Sequence, residues 1–179
     1  SLLIVHNLLG ILLYNQGRDQ EAVQSFENAI DIRPDYVDTY SNIVNPLNRL
    51  GELERALKYS KRALEIDPSR PVSHNNHGNL LRVAGFSGDA FRSYTKAIEL
   101  APNFVDAYSN RGNVLGDLGS SEAAIRDYRK ALKLDPNHVV CWSNFLYLIN
   151  HSSEKKRVLE NRDLATKFGE ICRNRVTQS

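Results

Sequence analysis

The sequence predicts an all-α fold, a right-handed α–α superhelix built from repeated helical hairpins, and three observations carry that prediction. Pro34, Pro68, Pro102 and Pro136 lie 34 residues apart. Gly17, Gly51, Gly85 and Gly119 keep the same step, as do Ala22, Ala56, Ala90 and Ala124, and again Ala29, Ala63, Ala97 and Ala131. Within each unit the apolar residues recur at helical spacing; in the fourth, Ala124, Tyr128 and Ala131 run i, i+4, i+7 beside Ile125 and Leu132. Each unit therefore reads as two helices. The glycine tolerates positive φ and supplies the tight turn between them, and the proline closes the second helix.

In chain order the units are residues 3–36, 37–70, 71–104 and 105–138, with a half-repeat at 139–152 that keeps Trp142, Phe145, Leu146 and Ile149. Together they make a solenoid domain over residues 1–152. The second unit departs most: Val44 stands where a small residue belongs, Ser60 replaces an aromatic, and Pro46 lies inside the first helix. A helix-interior proline costs about 3 kcal/mol and frees the Asn42 carbonyl. Residues 153–179 are expected to form a capping helix and tail. That helix opens after Ser152, carries Glu154 and Glu160 early and Arg173 and Arg175 late, in favour of its macrodipole. Its apolar stripe is Val158, Leu164, Ala165, Phe168, Ile171 and Cys172. The opposite end has no such lid, because SLLIV runs directly into the first helix. That edge is expected to adjoin further repeats, a partner or a second copy.

Composition narrows the function classes. The chain is 41% apolar and 25% charged, with a formal net charge of +2, so a basic footprint for nucleic acid is missing. Residues 1–152 carry 16 basic and 17 acidic side chains, and residues 153–179 carry 7 and 4. The apolar opening is broken by His6 and Asn7 and fits neither a membrane span nor a signal peptide. Two cysteines, Cys141 and Cys172, suit a reducing compartment, and a cytoplasmic location is expected. The absence of methionine points to a processed product or an excised piece.

The pattern resembles the tetratricopeptide repeat, W-x2-L-G-x2-Y, then A-x3-F, then P, over residues 3–151. Unit one reads His6, Leu9, Gly10, Leu13, Ala22, Phe26, Ala29, Pro34. Unit three reads His74, His77, Gly78, Leu81, Ala90, Tyr94, Ala97, Pro102, and unit four reads Tyr108, Arg111, Gly112, Leu115, Ala124, Tyr128, Ala131, Pro136. The small residues let paired helices approach, and the aromatic fills the space they leave.

Stacked units present one position of each first helix along one inner face, and here that position is asparagine. Asn42, Asn76, Asn110 and Asn144 share one register; Asn45, Asn79 and Asn113 share another three residues later. Asparagine is a mediocre helix former, so propensity does not explain it. A carboxamide offers both donor and acceptor and suits a peptide group's C=O and N–H. With helices about 10 Å apart and an extended chain advancing roughly 3.3–3.6 Å per residue, four rungs would hold roughly nine or ten ligand residues. The alternative is that these side chains satisfy the solenoid itself. The ladder resembles the inner face of O-linked N-acetylglucosamine transferase superhelices, and Ala107-Tyr108-Ser109-Asn110-Arg111-Gly112-Asn113 reads like that family. The resemblance implies a substrate-recruiting arm binding an extended polypeptide. In unit one Leu8 and Ile11 occupy the ladder registers, so the groove should turn apolar there.

Rival functions find less support. A co-chaperone-type adaptor would clamp an acidic C-terminus with Lys, Asn and Arg, but Asn7, Val72 and Asn76 stand at the expected basic positions. Arg49, Arg82 and Arg111 remain, with Arg111 expected to snorkel from a core-facing leucine register. A helical-repeat RNA reader is opposed by the near-neutral repeats. For catalysis, Gly85-Phe86-Ser87-Gly88 has the wrong spacing for a nucleophile elbow. His74 and His77 with distant His138 could imitate a metal site, but both helix positions are packing registers. No catalytic residue, metal or cofactor is assigned, and the expected role is that of a non-catalytic binding module.

Overall fold

The computed structural model describes residues 1–151, together with Thr166 and Gly169, which are helical. The expected capping helix over residues 153–176 otherwise lies outside the described residues. Ten α-helices and no strand occur among the described residues: α1 (Leu2–Asn15), α2 (Asp19–Ile32), α3 (Val37–Asn42), α4 (Val44–Arg49), α5 (Leu53–Ile66), α6 (Pro71–Val83), α7 (Ser87–Leu100), α8 (Val105–Asp117), α9 (Ser121–Leu134) and α10 (Val139–His151). The chain divides into two compact units, Ser1–Leu100 and Ala101–Ser179. The first holds the hairpins α1/α2, α3–α4/α5 and α6/α7; the second holds α8/α9 followed by α10.

Each hairpin closes in the same way. Gly17, Gly51, Gly85 and Gly119 take φ of 78°, 76°, 83° and 75°, a region that a Cβ would strain. The residue after each glycine returns its N–H to the end of the first helix. Arg18 donates to the Leu13 carbonyl at 2.9 Å, Glu52 to Leu47 at 2.9 Å, Phe86 to Leu81 at 2.8 Å and Ser120 to Leu115 at 2.8 Å, which is the Schellman closure. At the far end of the hairpin, Arg33, Asp67 and Asp135 are extended ahead of Pro34, Pro68 and Pro136, since the residue before a proline is driven out of the helical region.

The proline carbonyl has a use of its own. Tyr40 Oη donates to Pro34 O at 2.9 Å, Tyr108 Oη to Pro102 O at 3.4 Å and Trp142 Nε1 to Pro136 O at 2.8 Å, and His74 Nε2 lies 2.9 Å from Pro68 O. The first conserved-spacing position of each of these repeats thus ties its helix to the turn that precedes it.

Within a hairpin, close approach is set by a glycine against an aromatic ring. A Cβ on Gly10 would sit 2.6 Å from the Phe26 ring, one on Gly78 2.7 Å from Tyr94, and one on Gly112 2.9 Å from Tyr128. The second repeat solves the same problem in reverse. Val44 supplies the bulk on the first helix and Ser60 gives way on the second, both 3% exposed. Pro46 breaks the first helix of this repeat as expected, into α3 and α4 at Ile43, and the proline itself is fully buried.

Ser60 Oγ donates to the Leu57 carbonyl at 2.9 Å, so it accepts from His77 Nδ1 at 2.8 Å. Burial holds the His77 imidazole below its ordinary pKa, with His74 and Lys61 pushing the same way and Asp89 opposing. A folded value below the unfolded one means that the unfolded chain takes up the proton first. Stability from this group is therefore complete above about pH 6.5 and falls as the pH drops through the folded value. The urea midpoint should be lower at about pH 5 than at about pH 7.5, and His77→Gln should flatten that difference.

Candidate functional site

The first-helix asparagines do not share one environment. Asn42 Nδ2 donates to Asn7 Oδ1 at 3.2 Å, and Asn7, only 8% exposed, also accepts from Thr39 Oγ1 at 3.2 Å. Asn42, half-buried, is thereby tied to a residue of the first repeat. Asn79 Oδ1 accepts from Tyr94 Oη at 2.8 Å, and Asn113 Oδ1 accepts from Tyr128 Oη at 2.6 Å. Burial pushes the Tyr94 hydroxyl up to about 12, so it stays protonated and donates at any physiological pH.

A rule follows within the chain itself. Where the second helix carries tyrosine, the paired register carries asparagine (Asn79 with Tyr94, Asn113 with Tyr128). Where it carries Phe26, which has no hydroxyl, the register carries Ile11. In the second repeat Ser60 stands in place of the aromatic, and Asn45 is left exposed. One lone pair of Asn79 and Asn113 is thus committed to the fold, while their Nδ2 groups keep donors.

In the first unit these facts converge on an open depression of about 70 Å³ lined by Val44, Asn45, Asn48, Asn76, Asn79 and Leu80. It is far smaller than the roughly 300–1,000 Å³ of small-molecule pockets, and it is of the size of a peptide group. The carboxamides of Asn45, Asn48 and Asn76 have no hydrogen-bond partner among the described residues. Asn48 was not legible from the repeat, because its register holds Arg82 and Gly116 in later units. Its i+3 spacing from Asn45 is the signal that would have found it. In the second unit Asn110, Asn113 and Asn144 are all half-buried.

Two of the three arginines that a clamp would need, Arg49 and Arg111, are occupied. Arg49 pairs with Asp19, donates to the Tyr14 carbonyl at 2.6 Å and stacks 3.9 Å over the Tyr14 ring. Arg111 does not snorkel. It forms a two-pronged bond to Asp127, Nε at 2.7 Å and Nη2 at 2.9 Å, with the two side chains 18% and 10% exposed. The carboxylate offers a half-buried guanidinium more than solvent would, and the bond to Asp127 raises the Arg111 pKa above its usual value. Burial pushes the Cys141 thiol up to about 11, away from thiolate chemistry. Among the described residues no three His, Cys, Asp or Glu side chains group as a metal site would need, and no helix is long and apolar enough to cross a membrane.

Glycine-closed hairpins of fixed length define a helical-repeat protein of the all-α superhelix class. Models of the tetratricopeptide repeat match residues 5–43, 37–70 and 105–138, and the chain belongs to that family. No curated protein matches it by sequence. Among solved structures it is similar to MamA from Desulfovibrio magneticus RS-1, with 16% identity and a TM-score of 0.76 over 100% of this chain and 98% of that one. It is also similar to pilF of Pseudomonas aeruginosa, with 19% identity and a TM-score of 0.84 over 94% of this chain and 76% of that one. A third likeness is to YrrB, described as a TPR protein with an unusual peptide-binding site, with 17% identity and a TM-score of 0.70 over 93% and 84%. At these identities the likeness is one of fold.

Proposed function

We propose that this protein–protein interaction module binds an extended polypeptide through its first-helix asparagines, by the ligand's main chain. The observation that carries the reading is the depression ringed by Asn45, Asn48, Asn76 and Asn79, four carboxamides gathered around a space of peptide-group size. Asn110, Asn113 and Asn144 would offer the second unit's own carboxamides to a ligand main chain, and Asn42, tied to Asn7, would mark where the first unit's contact ends. Each amide hydrogen bond contributes about 0.5–1.5 kcal/mol net, so affinity is cumulative and side-chain selectivity low. YrrB supplies a precedent in name for peptide binding on this fold.

The test is a peptide array followed by titration of a selected binder. Asn45→Ala/Asn76→Ala removes two carboxamides that make no internal bond and should weaken binding about tenfold to a hundredfold without moving the unfolding midpoint. Replacing ligand amides one at a time by esters should weaken binding wherever a rung falls. Unchanged affinity in the double variant would return the asparagines to a purely structural role. Amide-mediated binding should also change little between low and moderate salt, whereas a collapse there would favour an RNA ligand. The resemblance of residues 107–113 to O-linked N-acetylglucosamine transferases extends the reading to a substrate-recruiting arm, which a glycosyltransferase domain in the same reading frame would support.

A further inference from the structure

The second unit carries a pair of matched stripes. On α8, Asn110, Asn113 and Asp117 stand at i, i+3, i+7, and 34 residues along α10 repeats the spacing with Asn144, Tyr147 and His151. The two helices are held side by side at both ends. His138 Nε2, just ahead of α10, donates to Asp106 Oδ1 at 2.8 Å, and a Cβ on Gly116, near the end of α8, would meet Leu148 Cδ1 at 3.4 Å.

Tyr147 stands where Asn45, Asn79 and Asn113 stand in the earlier repeats, and it is 67% exposed. One face of its ring stacks on His151, with centroids 4.2 Å apart and planes at 30°. His151 is itself held, its Nδ1–H donating to the Tyr147 carbonyl at 2.8 Å. The stack fixes the phenol, and the exposure falls on the opposite face. An aromatic face open to solvent attracts apolar groups and, through its quadrupole, cations.

The charge around it selects between them. Asp117 closes α8, where a carboxylate opposes the helix macrodipole. It is exposed and makes no ion pair or hydrogen bond among the described residues. The repeat does not ask for it, since Asn15, Arg49 and Val83 hold the same register earlier. Moreover α8 and α10 carry no lysine, and their one arginine, Arg111, is committed to Asp127. Helices packed side by side lie about 8–10 Å apart, a gap that a planar cation between a phenol and a carboxylate can span.

We infer that the second unit takes an arginine side chain of its polypeptide ligand, with the guanidinium flat on the open face of Tyr147 and turned toward the Asp117 carboxylate. The inference rests on the reading that an extended polypeptide lies along the asparagines, and it adds the residue which that polypeptide carries there. Asn144, about 4.5 Å along the helix axis from Tyr147, is placed to hold the main chain beside that side chain. A lysine would bring the charge without the planar stack.

The probes are two capped peptides of about ten residues, built from Gly, Ala, Ser and Thr and identical except for one central residue. That residue is arginine in the first and its uncharged isostere citrulline in the second. Each is titrated into the full chain by nuclear magnetic resonance, following the Tyr147 ring and the Asn144 carboxamide. The arginine peptide should bind about fivefold tighter, the scale of an exposed cation–π contact added to a surface ion pair, and should shift the Tyr147 ring signals. Tyr147→Leu and Asp117→Asn should each bring the two peptides to within about twofold, while Tyr147→Phe keeps the difference. Both side chains are exposed, so the variants should keep the circular dichroism of the parent, and Asp117→Asn should raise the urea midpoint slightly. Equal affinity of the two peptides, or a preference for arginine that survives in either Tyr147→Leu or Asp117→Asn, would overturn this inference and leave main-chain binding standing. Binding of neither peptide would overturn it together with the main-chain reading on which it rests. Self-association of the chain that Tyr147→Leu abolishes, with neither peptide bound, would overturn it as well, because a second copy would then hold the surface.

Discussion

Gly78→Val should destabilise the chain by about 2–3 kcal/mol, the scale of overpacking in a tight core, because even a Cβ there would stand 2.7 Å from the Tyr94 ring. Tyr94→Ser alone should lose about 3–5 kcal/mol by leaving a cavity and a free Asn79 carbonyl. Combined, the two changes recreate the Val44/Ser60 pairing that the second repeat already uses with both residues 3% exposed. The double variant should therefore lie above the additive expectation by up to about 3 kcal/mol. Urea unfolding of all four proteins measures this; strict additivity would mean that the valine does not enter the space the ring vacates.

Breaking the Arg111–Asp127 pair should have an effect of similar size. Arg111→Leu leaves a carboxylate only 10% exposed without its cation, and removal of one member of a buried pair costs about 3–5 kcal/mol. The residual exposure of both side chains places the expectation at the lower end, about 3 kcal/mol. The first repeat carries Leu9 and Ser25 at the same two positions. Arg111→Leu/Asp127→Ser should thus recover most of the loss, since an ion pair replaced by its apolar counterpart is often neutral or better. A double variant as unstable as Arg111→Leu would show that the pair contributes more than its own desolvation removes.

The helices and their pairing were legible because they rest on residue types with one physical job each. Gly17, Gly51, Gly85 and Gly119 are the positions of positive φ, and Pro34 and its successors end the second helices. The break at Ile43 was readable from Pro46 for the same reason. Pairings between registers were less legible. Reading Arg111 by itself suggests a side chain reaching for water, because its partner Asp127 is 16 residues away on the other helix of the hairpin. The asparagine ladder pooled two situations into one pattern. Asn79 and Asn113 answer tyrosine hydroxyls, whereas the hairpin of Asn45 has Ser60 in place of the tyrosine and Asn45 is exposed. Asn48 escaped notice because periodicity finds only what recurs, and a site can be completed by a residue that occurs once.

The glycine closure also bears on how the chain acquires its structure. In every hairpin the turn joins two helices that lean mainly on each other, so most contacts link residues close in sequence. Such low contact order belongs to chains that fold within microseconds to milliseconds, and any one hairpin can seed the process while its neighbours add on. A deletion of one whole hairpin leaves the remaining nuclei intact. A cut through a glycine turn removes a nucleus from both of its halves.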